Sequence, residues 1–428
     1  MNFDMLPPRS QLVEVLTRIY NQGLTTTSGG NLSILDDNGD LWITPSGIDK
    51  GALSPEDIVC VRADGTIVGR HKPSVEYPFH WMIYRARPDL RALVHAHPPA
   101  LVSFSIVRKT PNTCITPQSR DICGLVGYAP YALPGSEALG EQIAATFSQG
   151  FNSVLLENHG VVTGGQNLTQ AFQRFETLEF CAQINLLAAK LGNLQTLTDD
   201  QIRLFYHSDH HLPEFVPERH SSRELELRHD ICRFVRRAYA RRLMISTGGT
   251  VSVRVQDDTF LITPFGVDRY YLNPEDIVLV QDGKREAGKL PSRAVKLHQQ
   301  IYRDHRDIDC IMTAQPPNAT TYSIVSRKFD TRTIPESYIV LRDIPIAPYG
   351  LTYTDPRAIS AMIRPDAPVI LLQNDAVLAT GKSLLQTFDR LEVAEFSAQA
   401  LINSLHLGEL VPIADEELHD LRRQFKLS

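Results

Sequence analysis

The sequence has little that would place the protein in a membrane or on nucleic acid. No stretch of eighteen apolar residues occurs, and the N-terminus MNFDMLPPRSQ has no basic segment followed by an apolar run. The net charge is -6, and no block of Lys and Arg reverses that sign locally. We therefore expect a cytoplasmic protein that binds neither membranes nor nucleic acid.

Cysteine is scarce and irregularly placed. No two cysteines have CxxC spacing, so the pattern predicts reduced structural thiols and excludes both a disulfide framework and a zinc ribbon. Any metal must therefore use other ligands. The cysteines are Cys60, Cys114, Cys123, Cys181, Cys232 and Cys310.

What the sequence does contain is an internal repeat. With 428 residues, 43% of them apolar and 21% charged, the chain can form more than one buried core. Segments of the first half return in the same order in the second, which predicts two homologous domains. The pairs are SGGNLSI (28–34) with TGGTVSV (247–253), LWITPSGIDKGALSPEDIVCV (41–61) with FLITPFGVDRYYLNPEDIVLV (260–280), KPSVEYPFHWMIY (72–84) with LPSRAVKLHQQIY (290–302), ALVHAHPPA (92–100) with CIMTAQPPN (310–318), and VLLENHGVVTGG (154–165) with ILLQNDAVLATG (370–381).

A polar stretch lies between the two copies. Residues 206–222 contain two prolines and no apolar period, which predicts a linker between domains at 1–205 and 223–428. A metal needs ligands held rigidly by packed elements, so a solvated linker is preferred over a metal site for its histidines. These are His207, His210, His211 and His220.

Each copy shows the pattern of an α/β fold: helix, strands, helix, strand, helix, strand and a long helix. YPFHWMIYRARP is amphipathic and should end near Pro88. ALVHAH and SVLLENH are short apolar runs suited to buried strands. The stretch from Leu168 to Leu191 predicts a helix of about six turns.

Three histidines of the first copy are candidate metal ligands. His95 and His97 are two residues apart on a predicted strand, so both side chains leave the same face. His159 ends another predicted strand in the sequence Asn158-His159-Gly160, where glycine lets the chain turn sharply. Three neutral imidazoles leave a coordination position open, as a catalytic zinc requires.

Glu76 is the candidate acid or base. It lies two residues after Ser74, at the predicted start of the helix YPFHWMIY. The helix dipole alone would explain a carboxylate there, and a catalytic proton transfer is the alternative.

The second copy is an internal control. It keeps ITP, PEDIV and the flanking apolar pattern but has replaced all four candidate residues, which indicates that they form one functional unit. His80 persists as His298 and Pro98 as Pro316, so those positions are interpreted as architectural. The lost residues are His95, His97, His159 and Glu76, and their counterparts are Thr313, Gln315, Asp375 and Ala294.

Glycine-rich loops could bind an anionic group beside these residues. Gly30-Asn31 and Ser46-Gly47 place backbone amides and small polar side chains in loops, and Ser74 lies at a helix start. The plainer explanation of both glycine-containing loops is that each forms a tight turn and binds nothing. The second copy differs at the polar positions, with Thr250 for Asn31 and Phe265 for Ser46.

The combination GGNLS, ITPSG, KPSVE, VHAHP and ENHG resembles the class II aldolase and adducin family, well over residues 10–191 and in degenerate form over 229–405. The resemblance implies two tandem α/β/α domains, each with a mostly antiparallel sheet flanked by helices. It implies that a divalent ion, usually Zn²⁺ with Fe²⁺, Mn²⁺ or Co²⁺ as alternatives, binds His95, His97 and His159. Glu76 would then be the proton shuttle. The implied phosphate contacts are Gly30, Asn31, Ser46, Gly47 and Ser74.

The sequence departs from the family pattern in two places. Aldolases commonly have Ser-Ser-Glu where this chain has Ser74-Val75-Glu76, so one hydroxyl for a phosphate is missing. No equivalent of the tyrosine that some aldolases take from a neighbouring subunit is evident, and Gln118 and Arg120 are the polar candidates for substrate contact in that segment. Family members form ring-like tetramers, so the tandem chain is expected to form a homodimer that copies the ring, with the second copy as a pseudoenzyme domain.

The leading hypothesis is a metal-dependent lyase of the aldolase type acting on a small hydroxy-carbonyl or sugar-phosphate-like substrate. The ion would polarise a carbonyl and stabilise an enediolate while Glu76 moves a proton. Dehydration, decarboxylation and epimerisation use a similar metal-held enolate and stay open. Two further alternatives are an iron-dependent oxygenase on the same histidines and a non-enzymatic adducin-like scaffold, which explains the second copy better than the first.

Overall fold

The computed structural model describes residues 3–206 and 210–427, so His207 of the predicted linker lies outside the described residues. Within that range the protein is mixed α/β, with two sheets of mostly antiparallel strands flanked by helices. This confirms the predicted fold class. Among the described helices, none combines the length and apolar character that a membrane span needs.

The first half of the chain builds an eight-stranded sheet in the order β4-β3-β2-β1-β5-β8-β7-β6. Its helices are α1 (Pro8–Asn21), α2 (Tyr77–Ala86), α3 (Pro99–Ile106), α4 (Pro117–Cys123), α5 (Glu137–Ser148) and α6 (Leu168–Leu191). Its strands are β1 (Asn31–Leu35), β2 (Leu41–Ile43), β3 (Val59–Val61), β4 (Ile67–Val68), β5 (Ala92–Ala96), β6 (Val126–Ala129), β7 (Ser153–Leu156) and β8 (Val161–Gly165).

Two predictions on these elements are confirmed. Helix α6 begins at Leu168 and ends at Leu191, and α2 ends two residues before Pro88. Helices α2 and α5 cover one face of the sheet, where Phe79, Ile83 and Phe147 are buried against β2, β3, β5, β7 and β8. The apolar period of the helices and the short apolar strands together form this core.

The second half builds a nine-stranded sheet in the order β15-β16-β17-β14-β10-β11-β12-β13-β9. Its helices are α7 (Asp199–Tyr206), α8 (Ser222–Ala240), α9 (Val295–Asp304), α10 (Pro317–Ile324), α11 (Pro335–Val340), α12 (Leu351–Thr354), α13 (Pro356–Met362), α14 (Leu384–Ser404) and α15 (Asp415–Gln424). Its strands are β9 (Glu214–Phe215), β10 (Thr250–Gln256), β11 (Thr259–Ile262), β12 (Val278–Gln281), β13 (Lys284–Glu286), β14 (Cys310–Ala314), β15 (Ile346–Ala347), β16 (Val369–Leu372) and β17 (Ala376–Gly381).

Both faces of the second sheet are covered. Along β11, Phe260 and Ile262 lie in one apolar cluster with residues of α9 and α13, whereas Leu261 lies in another with residues of α8, α10 and α14. Successive side chains of a strand point to opposite faces, so a strand buried on both faces is apolar throughout.

The described chain forms two compact units whose boundary is not a single point. The first unit contains the described residues up to Thr113 together with Ser119–Gln183, and the second contains Cys114–Gln118 together with the described residues from Ile184 onward. Within the second unit, the Asn374 side chain donates to the carbonyls of Ile115 and Gln195. The boundaries predicted at 205 and 223 stay a prediction.

Part of the predicted linker is attached to the second sheet. Strand β9 pairs with β13 in parallel, and Glu214 forms an ion pair of 2.7 Å with Arg285. His210 is buried, and the His220 ring bonds to Glu224 at 2.9 Å. Over the parts of the linker that the structure describes, its histidines form no three-ligand metal group.

A buried histidine of the second copy generates a prediction about stability. Burial lowers the pKa of His298 to about 3, from an ordinary value of 6.5. As pH falls below 6.5, the unfolded chain binds a proton that the folded chain does not bind. The free energy of unfolding therefore falls, by about 1.4 kcal/mol per pH unit for one such proton.

In the variant His298→Asn, the unfolded chain no longer binds this extra proton. Urea unfolding of wild type and variant between about pH 6 and about pH 4 should show a shallower loss of stability in the variant. Equal slopes in the two proteins would contradict the assignment of His298 as neutral in the folded state.

Candidate metal centre

Three histidines of the first copy converge at one end of its sheet. His95 lies in β5, His97 follows the end of that strand, and His159 lies in the loop between β7 and β8. One ring nitrogen of each is within 4.8 Å of the others, and the ring centroids are 4.9 to 5.0 Å apart. Among the described residues, these three histidines are the set of His, Cys, Asp or Glu side chains with at least three members close enough to hold one metal ion.

The orientation of His95 is fixed by the neighbouring strand. Its Nδ1 lies 3.0 Å from the carbonyl oxygen of Val161 and donates to it, so Nε2 points into the group. Nε2 of His97 lies 3.1 Å from Nε2 of His95. Two nitrogens bound to one tetrahedral zinc are about 3.3 Å apart, so this spacing fits a shared ion.

The loop that carries His159 depends on two neighbouring residues. Asn158 takes the left-handed backbone conformation, with φ of 54°, so the sharp turn predicted for glycine occurs at asparagine. Gly160 serves close packing instead, because a Cβ there would lie 2.6 Å from both the Ala96 carbonyl oxygen and the His97 ring. The second copy keeps the turn at Asn374 but has Ala376 in place of Gly160.

Glu76 lies beside the histidines, at the residue that precedes α2. Its carboxylate oxygens are 3.3 Å from His95 Nε2 and 3.4 Å from His159 Nε2, and the Asn31 side chain donates to it at 2.7 Å. Burial opposes its ionisation, but the charges and hydrogen bonds of His95, followed by His159 and Asn31, hold its pKa below the ordinary value. Glu76 is therefore an oriented, ionised carboxylate.

Two of the histidines are neutral in this environment. Burial, with smaller repulsion from His95 and other rings of the group, lowers the pKa of His97 to about 3 and that of His159 to about 4. Neutral imidazole is the form that binds a metal. His97 and His159 therefore keep their ligand form well below neutral pH.

The residues predicted to contact a phosphate lie in three places. Gly30 has φ of 74°, and a Cβ there would lie 2.6 Å from the His95 carbonyl oxygen, so the loop requires glycine. The loop containing Ser46 and Gly47 pairs with the segment before Ser74, through a backbone bond from Ser46 to the carbonyl of Lys72 and another from Ser74 to that of Thr44. The Ser74 hydroxyl accepts from the Glu76 amide at 3.3 Å.

Lys50 is a buried cation that the sequence reasoning missed. Its ammonium donates to the Pro45 carbonyl at 2.5 Å, beneath the loop of Ser46 and Gly47, and burial lowers its pKa to about 8. The second copy has Arg269 at this position, whose guanidinium donates to the corresponding Pro264 carbonyl at 3.1 Å. The sequence contained a signal for this residue, because both copies have a basic residue five positions after the proline of ITP.

The two predicted substrate contacts of the Gln118 segment lie in different units. Gln118 belongs to the second unit, where its side chain donates to the Thr247 carbonyl. Arg120 belongs to the first unit, and one nitrogen of its guanidinium is buried without a hydrogen-bond partner. Their role as substrate contacts stays a prediction.

The corresponding region of the second copy has different chemistry. Thr313, Gln315 and Ala294 provide no imidazole or carboxylate there. Burial raises the pKa of Asp375 to about 6, and the Tyr353 hydroxyl donates to it at 3.3 Å. The register of the corresponding strands is nevertheless the same in both copies. Thr250 of β10 pairs with Thr313 of β14, as Asn31 of β1 pairs with His95 of β5.

Several known proteins are similar to part of this chain. A 5-deoxy-D-ribulose 1-phosphate aldolase of Bacillus thuringiensis is 33% identical over 211 residues, 45% of this chain and 91% of that protein. A 3-oxo-tetronate 4-phosphate decarboxylase of Pectobacterium atrosepticum is 36% identical over 200 residues, 45% of this chain and 90% of that protein. A solved L-fuculose-1-phosphate aldolase of Thermus thermophilus is 29% identical with a TM-score of 0.38, and the match covers 43% of this chain and 94% of that one.

The family comparison accounts for both halves. The model of the class II aldolase and adducin N-terminal domain matches residues 10–186 and matches again over residues 229–402. The two matches lie on the two internal copies that the repeated motifs define. The protein therefore belongs to the class II aldolase and adducin family and carries two tandem copies of its domain.

Proposed function

We propose that the protein is a divalent-metal-dependent lyase of the aldolase type, with its active site in the first copy. The observation that carries the proposal is the arrangement of three histidine nitrogens within 4.8 Å of one another and an ionised carboxylate 3.3 Å from one of them. Three protein ligands leave a coordination position for substrate, as catalytic sites do. A scaffold without catalysis gives no physical reason to keep this set.

Class II aldolases use a divalent metal, and the donor set here fits one. The proposed ligands are the Nε2 atoms of His95, His97 and His159, and zinc is the proposed ion because it favours imidazole nitrogen in four-coordinate sites. When bound, such an ion supplies Lewis acidity that polarises a carbonyl and stabilises the negative charge of an enediolate. His95 is held for this role by its bond to Val161, and Gly160 lets the His159 loop lie against His97.

Glu76 is the proposed proton carrier. Its carboxylate is ionised, held by Asn31, and lies directly against two of the metal-binding rings. A base at this position can take a proton from a hydroxyl or carbon of a substrate bound at the same place and return it in the reverse direction.

The proposed substrate is a small hydroxy-carbonyl compound that carries a phosphate. The names of the similar aldolase of Bacillus thuringiensis and decarboxylase of Pectobacterium atrosepticum both give a phosphate ester as the substrate. Gly30 and Gly47 would supply backbone amides, and Ser46 and Ser74 would supply hydroxyls, since the amides of these two serines already donate to Lys72 and Thr44. The buried ammonium of Lys50 adds a positive charge beside Pro45, next to Ser46. Val75 occupies the place of a second serine hydroxyl, so the phosphate is held by fewer hydroxyls than in the usual motif.

Decarboxylation is the second candidate reaction. It is favoured by the Pectobacterium atrosepticum decarboxylase, which is 36% identical to this chain. Loss of carbon dioxide from a 3-oxo acid and aldol cleavage both leave an enolate on the retained fragment, so one metal-binding site can serve either reaction.

Replacement of the carboxylate tests the role of Glu76. In Glu76→Gln the shape is kept but the base is removed, so kcat should fall by about 100- to 10,000-fold on a panel of sugar-phosphate and 3-oxo-acid phosphate substrates. Bound metal, measured by elemental analysis, should stay at the wild-type level. Unchanged turnover would remove Glu76 from the proton-transfer role.

The metal ligands are tested with a control inside the same chain. His159→Ala should reduce the bound divalent metal from about one ion per chain to a small fraction, because one of three ligands is lost. Asp375→Ala changes the corresponding position of the second copy and should keep the full metal content. If both variants retain their metal, the ion is bound elsewhere.

We also propose that the protein assembles as a homodimer. Three apolar side chains are exposed, namely Val75 (66%), Tyr131 (56%) and Leu133 (68%). The loop that carries Tyr131 and Leu133 continues to Gly135, where a Cβ would lie 3.5 Å from the Val75 carbonyl oxygen, so the loop approaches Val75. Apolar patches of this kind commonly mark protein interfaces.

Light scattering on the purified protein should therefore give twice the chain mass of 48.0 kDa. The variant Leu133→Glu should shift the mass toward that of one chain, because a charge in an apolar interface is costly. A wild-type mass of a single chain at all concentrations would contradict the proposal.

A further inference from the structure

A buried row of polar side chains leads away from Glu76 into the core of the first copy. The Asn31 amide lies 2.7 Å from Glu76 on one side and 2.5 Å from His80 Nε2 on the other. His80 Nδ1 lies 2.7 Å from the Ser33 hydroxyl, which lies 2.8 Å from the Tyr84 hydroxyl. All five side chains are buried.

The direction of each hydrogen bond in the row follows from the Asn31 amide. Its NH₂ group donates to Glu76 and its oxygen faces His80 Nε2, and an amide oxygen can only accept. His80 must then carry its proton on Nε2 and accept on Nδ1, since burial keeps the ring neutral with a pKa of about 3. Ser33 therefore donates to His80, and Tyr84 donates to Ser33.

Asn31, His80 and Ser33 each donate toward Glu76, and the Tyr84 hydroxyl lies 2.8 Å from the Ser33 hydroxyl and 3.3 Å from the Ser33 carbonyl oxygen. Reversing the Asn31 amide would place its oxygen against the carboxylate oxygen of Glu76, and two acceptors at 2.7 Å repel each other. Such a chain of buried bonds fixes the position of its last member, and a half-satisfied chain would be costly.

The second copy shows which part of the row the fold requires and which part the site requires. Ser252 lies 2.8 Å from His298 Nδ1 and 2.7 Å from the Tyr302 hydroxyl, which repeats the arrangement of Ser33, His80 and Tyr84. At the Asn31 position, Thr250 bonds instead to Ser292 at 2.5 Å. His298 Nε2 is then buried without a hydrogen-bond partner.

We infer that His80 and Asn31 are positioning residues for Glu76: His80 fixes the Asn31 amide, and Asn31 holds the carboxylate against the metal-binding histidines. The inference rests on the proposed function and deepens it at the same site. It gives the Asn31 side chain a task besides the predicted phosphate contact, because one hydrogen of its NH₂ group goes to Glu76 and its oxygen accepts from His80. It also gives His80 a role in the first copy that His298 lacks in the second.

Two amide variants of His80 distinguish the loss of its hydrogen bond to Asn31 from the loss of the volume of its ring. In His80→Gln the side-chain nitrogen can reach the place of Nε2 and donate to Asn31, whereas in His80→Asn it reaches only the place of Nδ1. His298→Asn makes the same change in the second copy, where Nε2 has no partner to lose. All three variants alter a fully buried ring in similar surroundings.

We expect His80→Asn to lower kcat by about 10- to 100-fold with little change in KM, as is typical when the support of a metal-site group is lost. His80→Gln should recover most of that loss, and His298→Asn should keep wild-type kcat. Equal kcat in His80→Asn and His298→Asn, or no recovery in His80→Gln, would overturn the inference.

A second measurement separates this inference from the proposed function. In metal-free protein with ¹⁵N-labelled histidine, NMR should show His80 protonated on Nε2, with slow exchange of that proton. Asn31→Thr, which copies Thr250 of the second domain, should speed the exchange at least tenfold. If wild type turns over none of the substrates but shows this behaviour, the lyase proposal fails and the hydrogen-bonded row stands. Protonation of His80 on Nδ1 would overturn the row itself.

Discussion

The candidate site depends on the register of three neighbouring strands. Asn31 of β1 lies opposite His95 of β5, and Ala96 of β5 lies opposite Val161 of β8. This register brings the Val161 carbonyl to Nδ1 of His95 and the loop of His159 to the end of β5. Because a shift by one residue would turn every side chain of a strand to the other face, register alone decides whether the three rings can meet.

The two copies separate the requirements of the fold from those of the chemistry. Both keep the strand register, the left-handed asparagine before β8 or β17, and the buried trio of serine, histidine and tyrosine. The second copy has lost the imidazoles, the carboxylate and the asparagine that links them to the trio. The second sheet and its helical layers therefore have the family fold without the three imidazoles and the carboxylate, so the fold itself does not depend on these residues.

Much of this was accessible from the sequence. The repeat of ITP and PEDIV predicted the duplication, the spacing of His95 and His97 predicted a shared face, and the joint loss of four residues in the second copy marked them as a unit. The role of Gly160 was misjudged, because a sequence motif does not distinguish a turn from a close approach. Asn158 makes the turn, and Gly160 makes room for the His97 ring. The neutral state of His80 and its link to Asn31 depend on burial and on contacts 49 residues apart, which local patterns do not contain.

We propose that the imidazoles of His95 and His97, at the end of β5, and of His159, in the loop before β8, hold one ion in the first copy alone. X-ray diffraction from crystals of the protein with its native metal, recorded on both sides of the absorption edge of that metal, tests it directly. We expect one anomalous peak per chain, at about 2.0 to 2.1 Å from Nε2 of His95, His97 and His159 if the metal is zinc. A peak bound by other residues, or one beside Asp375 in the second copy, would show that these three histidines are not the metal site.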